Sequence, residues 1–252
     1  MPGAMSYLIC ATPRSGTTLL CDLLTATGRA GAPHSYYRRQ DISKRAQDWG
    51  LADLDPRAFD RAYLEAVLRA GTAETDVFGL RLMWGTLAEL SESLGRLYAE
   101  PPHAAALLEA AFGPLVYVHV SRQDKVAQAV SLLRAEQSGL WHVAPDGAER
   151  QRSAPQAPIR YDAVRLSEIV DELERDDAAW TGFFAAHHIA PVQVTYEELI
   201  QRPGFEVRKI LRALGYTSEL AEDVTPRTAK MADRTSQEWA ERFRRERGQG
   251  AP

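Results

Sequence analysis

The stretch LICATPRSGTTLL, residues 8–20, decides the fold. Its apolar start predicts a short buried strand, its middle a tight loop and its end the first turn of a helix. Such a junction gathers unpaired backbone N–H groups and the positive end of a helix dipole, which together attract anions. Arg14 adds a positive charge there, and Ser15, Thr17 and Thr18 add hydroxyl donors. The loop is therefore predicted to bind a phosphate or a sulfate group.

The same loop departs from the pattern of nucleotide triphosphatases, which is G-x-x-x-x-G-K-S/T. Thr17 stands where that pattern has its lysine, and the cation Arg14 lies two residues before Gly16. No predicted strand ends in an Asp suited to hold magnesium. The sequence thus favours anion binding without a metal, and a P-loop kinase or triphosphatase is the less favoured alternative.

Length and composition limit the classes of function. The 252 residues suit a single domain spanning 1–252. The net charge of −4 argues against a nucleic-acid-binding protein, because no basic run offsets the acidic total. The hydrophobic content of 45% includes no apolar stretch of membrane-spanning length, so stable membrane insertion is not expected. No signal peptide is apparent, and we expect a cytoplasmic protein.

Strand and helix patterns alternate along the chain, which predicts an α/β fold with a central, mostly parallel sheet flanked by helices. Residues 139–158, rich in Pro, Gly, Ala and Gln, are predicted to form a long loop. The predicted strands are 7–11, 77–82, 115–120 and 191–195, and the predicted helices include 16–27, 56–70, 84–97, 104–112, 124–137 and 160–187.

A second cation follows another predicted strand. In a parallel sheet, ligands gather at the carboxyl ends of the strands, so Arg14 and Arg122 are expected at the same edge. Ser131 lies nine residues after Arg122, on the helix that follows it. A planar guanidinium and a hydroxyl suit a second phosphate, distinct from the first.

Taken together, these segments resemble sulfotransferases that use 3′-phosphoadenosine-5′-phosphosulfate (PAPS), and in particular the bacterial trehalose 2-sulfotransferase family. The resemblance rests on matching segments in the same order along nearly the whole chain. It implies a P-loop-type sulfotransferase fold. The matching segments are Tyr7-Leu8, Arg14-Ser15-Gly16-Thr17-Thr18-Leu19-Leu20, Ala26-Thr27-Gly28, Ala30-Gly31, Pro33, Leu82-Met83-Trp84, Arg122, Asp124, Gln128-Ala129-Val130-Ser131, Arg134-Ala135, Ala232-Asp233, Ser236 and Glu238-Trp239.

The resemblance implies that PAPS is the donor and that its sulfuryl group passes to a hydroxyl of a carbohydrate or other small polar acceptor. The transfer would be in-line and independent of metal. Arg122 and Ser131 would hold the 3′-phosphate, and the tail residues Lys230 and Arg234 would close over the nucleotide. A homodimer is also implied. The residues that would cradle the 5′-phosphosulfate are Arg14, Ser15, Gly16, Thr17 and Thr18.

The chain departs from the family where the family has a catalytic Glu, because Ser35 stands at that place. His34 has a suitable intrinsic pKa and is the first candidate for the base, with His119 and Glu136 as alternatives. A sulfotransferase fold that binds nucleotide without transferring sulfate is the alternative that Ser35 raises. The predicted acceptor pocket consists of Ser35, Tyr36, Tyr37, Arg81, Trp84 and Trp141.

Overall fold

The computed structural model describes residues 5–98, 103–143, 149–152, 158–217 and 233–249. Strands and helices alternate through most of this length. In chain order the elements are β1 (Met5–Ala11), α1 (Thr17–Ala26), α2 (Arg39–Asp48), α3 (Pro56–Thr72), β2 (Val77–Met83), α4 (Trp84–Gly95), α5 (Ala104–Phe112), β3 (Leu115–Ser121), α6 (Lys125–Ser138), β4 (Leu140–Val143), β5 (Glu149–Arg152), α7 (Ala163–Ala186), β6 (Val192–Thr195), α8 (Tyr196–Gln201), α9 (Pro203–Ala213) and α10 (Arg234–Gln249).

The central sheet has four parallel strands in the order β2-β1-β3-β6. Parallel neighbours need long crossover connections, which the helices supply. Because helices cover both faces, the strands consist of almost continuous apolar residues rather than an alternating pattern. The predicted α/β class and its parallel sheet are confirmed.

The two faces of β1 belong to two separate cores, as the two-residue period of a strand requires. Leu8 and Cys10 pack on one face with Phe78 and Trp180. Tyr7, Ile9 and Ala11 pack on the other face with helices α1 and α9. Because β1 is buried on both faces, the loop that follows it is held at the carboxyl edge of the sheet.

A third core lies beside the sheet and positions the C-terminal helix. It joins α6, α7 and α10 through Val130, Leu133, Leu166 and Phe243, all buried. Helix α10 therefore packs directly against the helix that follows β3.

The prediction of a loop over residues 139–158 is wrong in part. Strands β4 and β5 form an antiparallel pair, with Leu140 opposite Arg152. The pair is short, and its flanking Pro and Gly residues give the segment the composition of a loop. The helix predicted from residue 160 begins later, at Ala163, because the Asp162 side chain caps it by accepting from the Arg165 N–H.

Among the described residues, no helix is both long enough and apolar enough to cross a membrane.

Candidate functional site

The loop between β1 and α1 forms the floor of the candidate site. Gly16 caps α1 with φ +87°, and Arg14 has φ +63°, a conformation that a non-glycine residue adopts only at a cost of about 1–3 kcal/mol. A Cβ atom at Gly16 would lie 2.7 Å from the ring of Tyr196. No side-chain hydrogen bond caps α1 at Gly16, and the start of a helix presents backbone N–H donors that suit an anion.

The structure brings the two predicted phosphate motifs together. The Arg14 Nε donates to the Ser131 Oγ at 2.9 Å, and one terminal nitrogen of Arg14 donates to the Trp141 carbonyl at 2.6 Å. Arg122 donates to the carbonyl of Arg14 at 3.3 Å, and its guanidinium lies 4.4 Å from the ring centroid of Tyr196. The arginines that follow β1 and β3 are therefore neighbours at one sheet edge.

The guanidinium groups of Arg14 and Arg122 lie close together, and both are largely shielded from solvent. Burial and then the charge of Arg122 lower the pKa of Arg14 to about 10. Burial also lowers the pKa of Arg122, against the opposing effect of Tyr196. The Arg122 Nε is buried without a hydrogen-bond partner in the described part of the chain. Two adjacent cations, one with an unpartnered donor, have the charge and hydrogen-bonding capacity that an anion requires.

Gln128 lies in one of the matching segments, but the sequence assigned it no role in the site. It is fully buried on α6, and its Nε2 donates to the Thr12 Oγ1 at 2.9 Å and to the Pro13 carbonyl at 2.6 Å. These bonds tie α6 to the loop from below. A polar residue on the buried face of a predicted helix is the signal that would have found it.

On the β2 side, Arg81 joins the loop to the segment around Ser35. The Arg81 Nε donates to the Ser35 Oγ at 2.8 Å, and a terminal nitrogen donates to the Thr18 Oγ1 at 2.9 Å. The backbone N–H of Arg81 also donates to the His34 carbonyl at 3.1 Å. The predicted acceptor residues Ser35 and Arg81 therefore lie beside the predicted donor loop.

The geometry of His34 argues against its predicted role as general base. Its Nδ1 lies 2.9 Å from a terminal nitrogen of Arg45, and because a guanidinium only donates, Nδ1 must accept. The neutral ring then carries its proton on Nε2. Desolvation, followed by the charges of Arg81 and Arg45, lowers the pKa of His34 to about 4. An imidazole so placed is a weak proton acceptor.

The alternative bases have other partners. His119 is buried, with its Nδ1 3.2 Å from the Gln193 Oε1. The carboxylate of Glu136 borders the cavity described below and pairs with Arg165 at 3.4 Å.

A cavity of about 1310 Å³ opens over the loop and collects most of the predicted site residues. Ser15 lies beneath it, with its buried hydroxyl donating to the Thr12 carbonyl at 2.8 Å. The predicted residues that line the cavity are Arg14, Gly16, Thr17, Thr18, His34, Ser35, Tyr37, Arg81, Arg122, Ser131 and Trp141.

Three predicted site residues lie away from the cavity lining. Tyr36 is buried, and its hydroxyl donates to the Ala32 carbonyl at 2.7 Å. Trp84 packs edge-on against Trp180 in the core, with 5.1 Å between ring centroids. Arg234 is exposed and pairs with the residue one helical turn later. Their aromatic or basic character suggested ligand contact, but the fold uses the aromatic rings for packing. Lys230 lies outside the described residues.

Helix α10 reaches the cavity through residues other than Arg234. Arg244 donates to both carboxylate oxygens of Asp124 at 2.7 Å, and Asp124 is the N-cap of α6. Arg134, on α6, pairs with Asp233 at 2.8 Å. Arg134 and Arg244 both line the cavity, and sequence reasoning assigned a role to neither. Only their positions on packed helices distinguish them from the other charged residues of α6 and α10.

Comparison with known proteins identifies the family to which this chain belongs. The model of the Stf0 sulphotransferase family matches residues 6–246. A trehalose 2-sulfotransferase of Mycobacterium tuberculosis is 31% identical, covering 95% of this chain and 94% of that protein. A trehalose 2-sulfotransferase of Mycolicibacterium smegmatis is 29% identical, covering 96% and 95%.

One solved structure, the sulfotransferase domain from the Synechococcus PCC 7002 olefin synthase, matches with 16% identity and a TM-score of 0.43. The match covers 95% of this chain and 86% of that one. The family assignment rests on the sequence matches, which extend over nearly the full length. This chain belongs to the Stf0 sulphotransferase family.

Proposed function

We propose that this chain transfers the sulfuryl group of PAPS to a hydroxyl of a carbohydrate or other small polar acceptor. The observation that carries the proposal is the pair of partly desolvated cations, Arg14 and Arg122, above an uncapped helix start. A donor with one anionic group on the loop and a second on the neighbouring strand end fits that pair. PAPS has this arrangement, with a 5′-phosphosulfate and a 3′-phosphate.

The residues divide the donor between two places. The first N–H groups of α1, with Thr17 and Thr18, would bind the 5′-phosphosulfate. Arg122, through its unpartnered Nε, would bind the 3′-phosphate together with Ser131. The hydrogen bond from Arg14 to Ser131 then links the two places, so that both phosphate groups are held at a fixed separation.

The proposed reaction is an in-line displacement at sulfur. The acceptor oxygen forms a bond to sulfur while the bond from sulfur to the 5′-phosphate oxygen breaks, and the electron pair of that bond stays on the phosphate. Arg14 and the N–H groups of α1 stabilise the negative charge that grows on the phosphate. The acceptor hydroxyl releases its proton to water as its bond to sulfur forms. The protein contributes position and charge.

The carbohydrate acceptor is supported by the two relatives, which are trehalose 2-sulfotransferases. Trp141 and Tyr37 line the cavity, and Arg38 lies over the Trp141 ring at 5.5 Å. Aromatic faces beside charged donors suit the apolar face and the hydroxyl groups of a sugar.

Nucleotide binding tests the donor assignment. By calorimetry, we expect 3′-phosphoadenosine 5′-phosphate (PAP) to bind at least about tenfold more tightly than ADP, which lacks the 3′-phosphate. The variant Arg122→Gln should lose most of that preference and keep its affinity for ADP. Equal binding of the two nucleotides by the wild type, or no binding, would overturn the donor assignment.

A second candidate function is nucleotide binding without transfer, and the site around Ser35 favours it. Ser35 is not a base by itself. The Nδ1 of His34 accepts a hydrogen bond from Arg45, and its Nε2 carries the proton, so neither ring nitrogen is free to act as a base. A transfer assay with radiolabelled PAPS and a panel of sugars distinguishes the two. Labelled sugar supports the transferase, and tight PAP binding with no labelled product supports the binding protein.

Three broader expectations accompany the proposal. We propose that residues 1–252 act as one domain, that the chain forms a homodimer and that it works in the cytoplasm. Light scattering measures the mass of the particle in solution, which should be twice the 28.0 kDa of one chain.

A further inference from the structure

Arg81 is a cation of the site that the binding of the two phosphate groups does not use. It projects from β2 into the cavity, where it donates to the hydroxyls of Ser35 and Thr18. Both partners are neutral, and both hold the guanidinium by its Nε and one terminal nitrogen. The thiol of Cys21 also forms a hydrogen bond with this guanidinium, so a third neutral group helps to hold Arg81 at the edge of the cavity.

The charge of Arg81 is not neutralised by the surrounding protein. Within the described ranges, no carboxylate oxygen lies within 4 Å of its guanidinium, whereas the nearby Arg38 is paired with Asp41. The effect reaches His34, whose pKa is lowered in part by the charge of Arg81. An arginine held in place by hydroxyls and left without a counter-charge is a site for an anion.

The order of the strands shows which anion this would be. Arg122 follows β3, on one side of the β1 loop, and Arg81 lies on β2, on the other side. If the 3′-phosphate lies at Arg122, as proposed above, the nucleoside occupies the β3 side. The sulfuryl end of the 5′-phosphosulfate and the in-line acceptor must then extend to the β2 side. There Arg81 lies between Thr18 and Ser35 and is hydrogen-bonded to both.

We propose that Arg81 is a catalytic residue that contacts the oxygens of the sulfuryl group during transfer. The inference rests on the proposed function. Arg81 neither donates nor accepts a proton: its positive charge stabilises the sulfuryl oxygens while the bond to the phosphate oxygen breaks and the bond to the acceptor oxygen forms. The electron pair of the broken bond stays on the phosphate, and the acceptor proton goes to water. Ser35 is a positioning residue that fixes Arg81.

Paired nucleotide affinities test this assignment without any acceptor. PAPS and PAP differ only in the sulfuryl group, so the ratio of their dissociation constants isolates contacts to that group. For Arg81→Gln we expect PAPS binding to weaken at least about tenfold relative to PAP, with PAP affinity changed less than about twofold. Arg81→Lys, which keeps the charge, should retain part of the preference. The matched control is Arg39→Gln, an exposed arginine on α2.

Each outcome decides the matter. A ratio unchanged in Arg81→Gln, or an equal loss of both nucleotides, overturns the assignment. Absence of nucleotide binding by the wild type overturns the proposed function instead. Should Arg81→Gln fail to fold, Ser35→Ala is measured, because it removes the hydrogen bond at the Arg81 Nε. A smaller loss of PAPS preference supports the role, and an unchanged ratio contradicts it.

Discussion

At the scale of single residues, the site depends on backbone positions where only a particular side chain fits. Gly16 and Gly28 both have positive φ, +87° and +63°, but only a Cβ at Gly16 would meet a neighbour. That neighbour is the ring of Tyr196, on which Arg122 rests. Substituting each glycine in turn therefore separates the stability lost from a strained backbone from the affinity lost through displaced site residues.

For Gly16→Ala we expect a loss of about 1–2 kcal/mol in the free energy of unfolding from the left-handed conformation, together with displacement of Tyr196 and Arg122. PAP affinity should then fall at least about tenfold, since Arg122 moves. Gly28→Ala should show a similar loss of stability with unchanged PAP affinity, because nothing lies within 4 Å of its Cβ. Urea unfolding and calorimetry measure the two effects. Equal PAP affinities in both variants would contradict the prediction.

A second residue-scale prediction concerns pH and His34. Its folded-state pKa is about 4, below its ordinary value of 6.5, so between these values the unfolded chain binds a proton that the folded chain does not. Wild-type stability should therefore fall as the pH is lowered from about 6.5 towards 4. In urea unfolding, His34→Gln should lose less stability than the wild type between pH 7 and pH 5. A parallel pH dependence in both proteins would show that His34 contributes nothing.

At the scale of elements, the sequence predicted the sheet and most helices but not the arrangement of charges around the cavity. Apolar runs and the turn at Gly16 are local signals, so β1, β2 and β3 were placed within about two residues. The partners of Arg134 and Arg244 are distant in sequence, and only packing of α10 against α6 brings them to the cavity. Tyr36 was predicted to line the acceptor pocket, but its side chain is buried in the core. The local sequence does not show whether a tyrosine ring faces a pocket or the core.

The docking of α10 gives an element-scale prediction. Phe243 is buried between α6 and α7, so Phe243→Ala should lower the free energy of unfolding by about 3–5 kcal/mol through the cavity it leaves. PAP affinity should also fall, because Arg244 is carried on the same helix. Arg245→Ala, an exposed position on α10, should change stability by less than about 0.5 kcal/mol. If Phe243→Ala bound PAP as the wild type does, α10 would have no part in the site.

At the scale of the whole molecule, a chain of net charge −4 keeps a positive centre. Many surface cations are paired, as Arg165 is with Glu136, Glu168 and Glu172. Arg122 is instead partly desolvated and has a buried nitrogen without a partner among the described residues. Burial of such a charge destabilises the unliganded fold, Asp124 and Glu197 offset part of that cost, and a bound anion would offset more of it.

Arg122→Met should therefore make the unliganded protein more stable while removing its response to nucleotide. The methionine keeps contact with the Tyr196 ring, and loss of the buried charge should raise the free energy of unfolding by about 1 kcal/mol, or the melting temperature by about 2–4 °C. Saturating PAP, which should stabilise the wild type by about 2.7 kcal/mol at one hundred times its dissociation constant, should stabilise this variant far less.

The matched control, Arg165→Met, should lose stability, because its three carboxylate partners remain. Thermal unfolding with and without PAP measures all three proteins. If Arg122→Met melted below the wild type without nucleotide, Arg122 would be a structural residue of the unliganded fold.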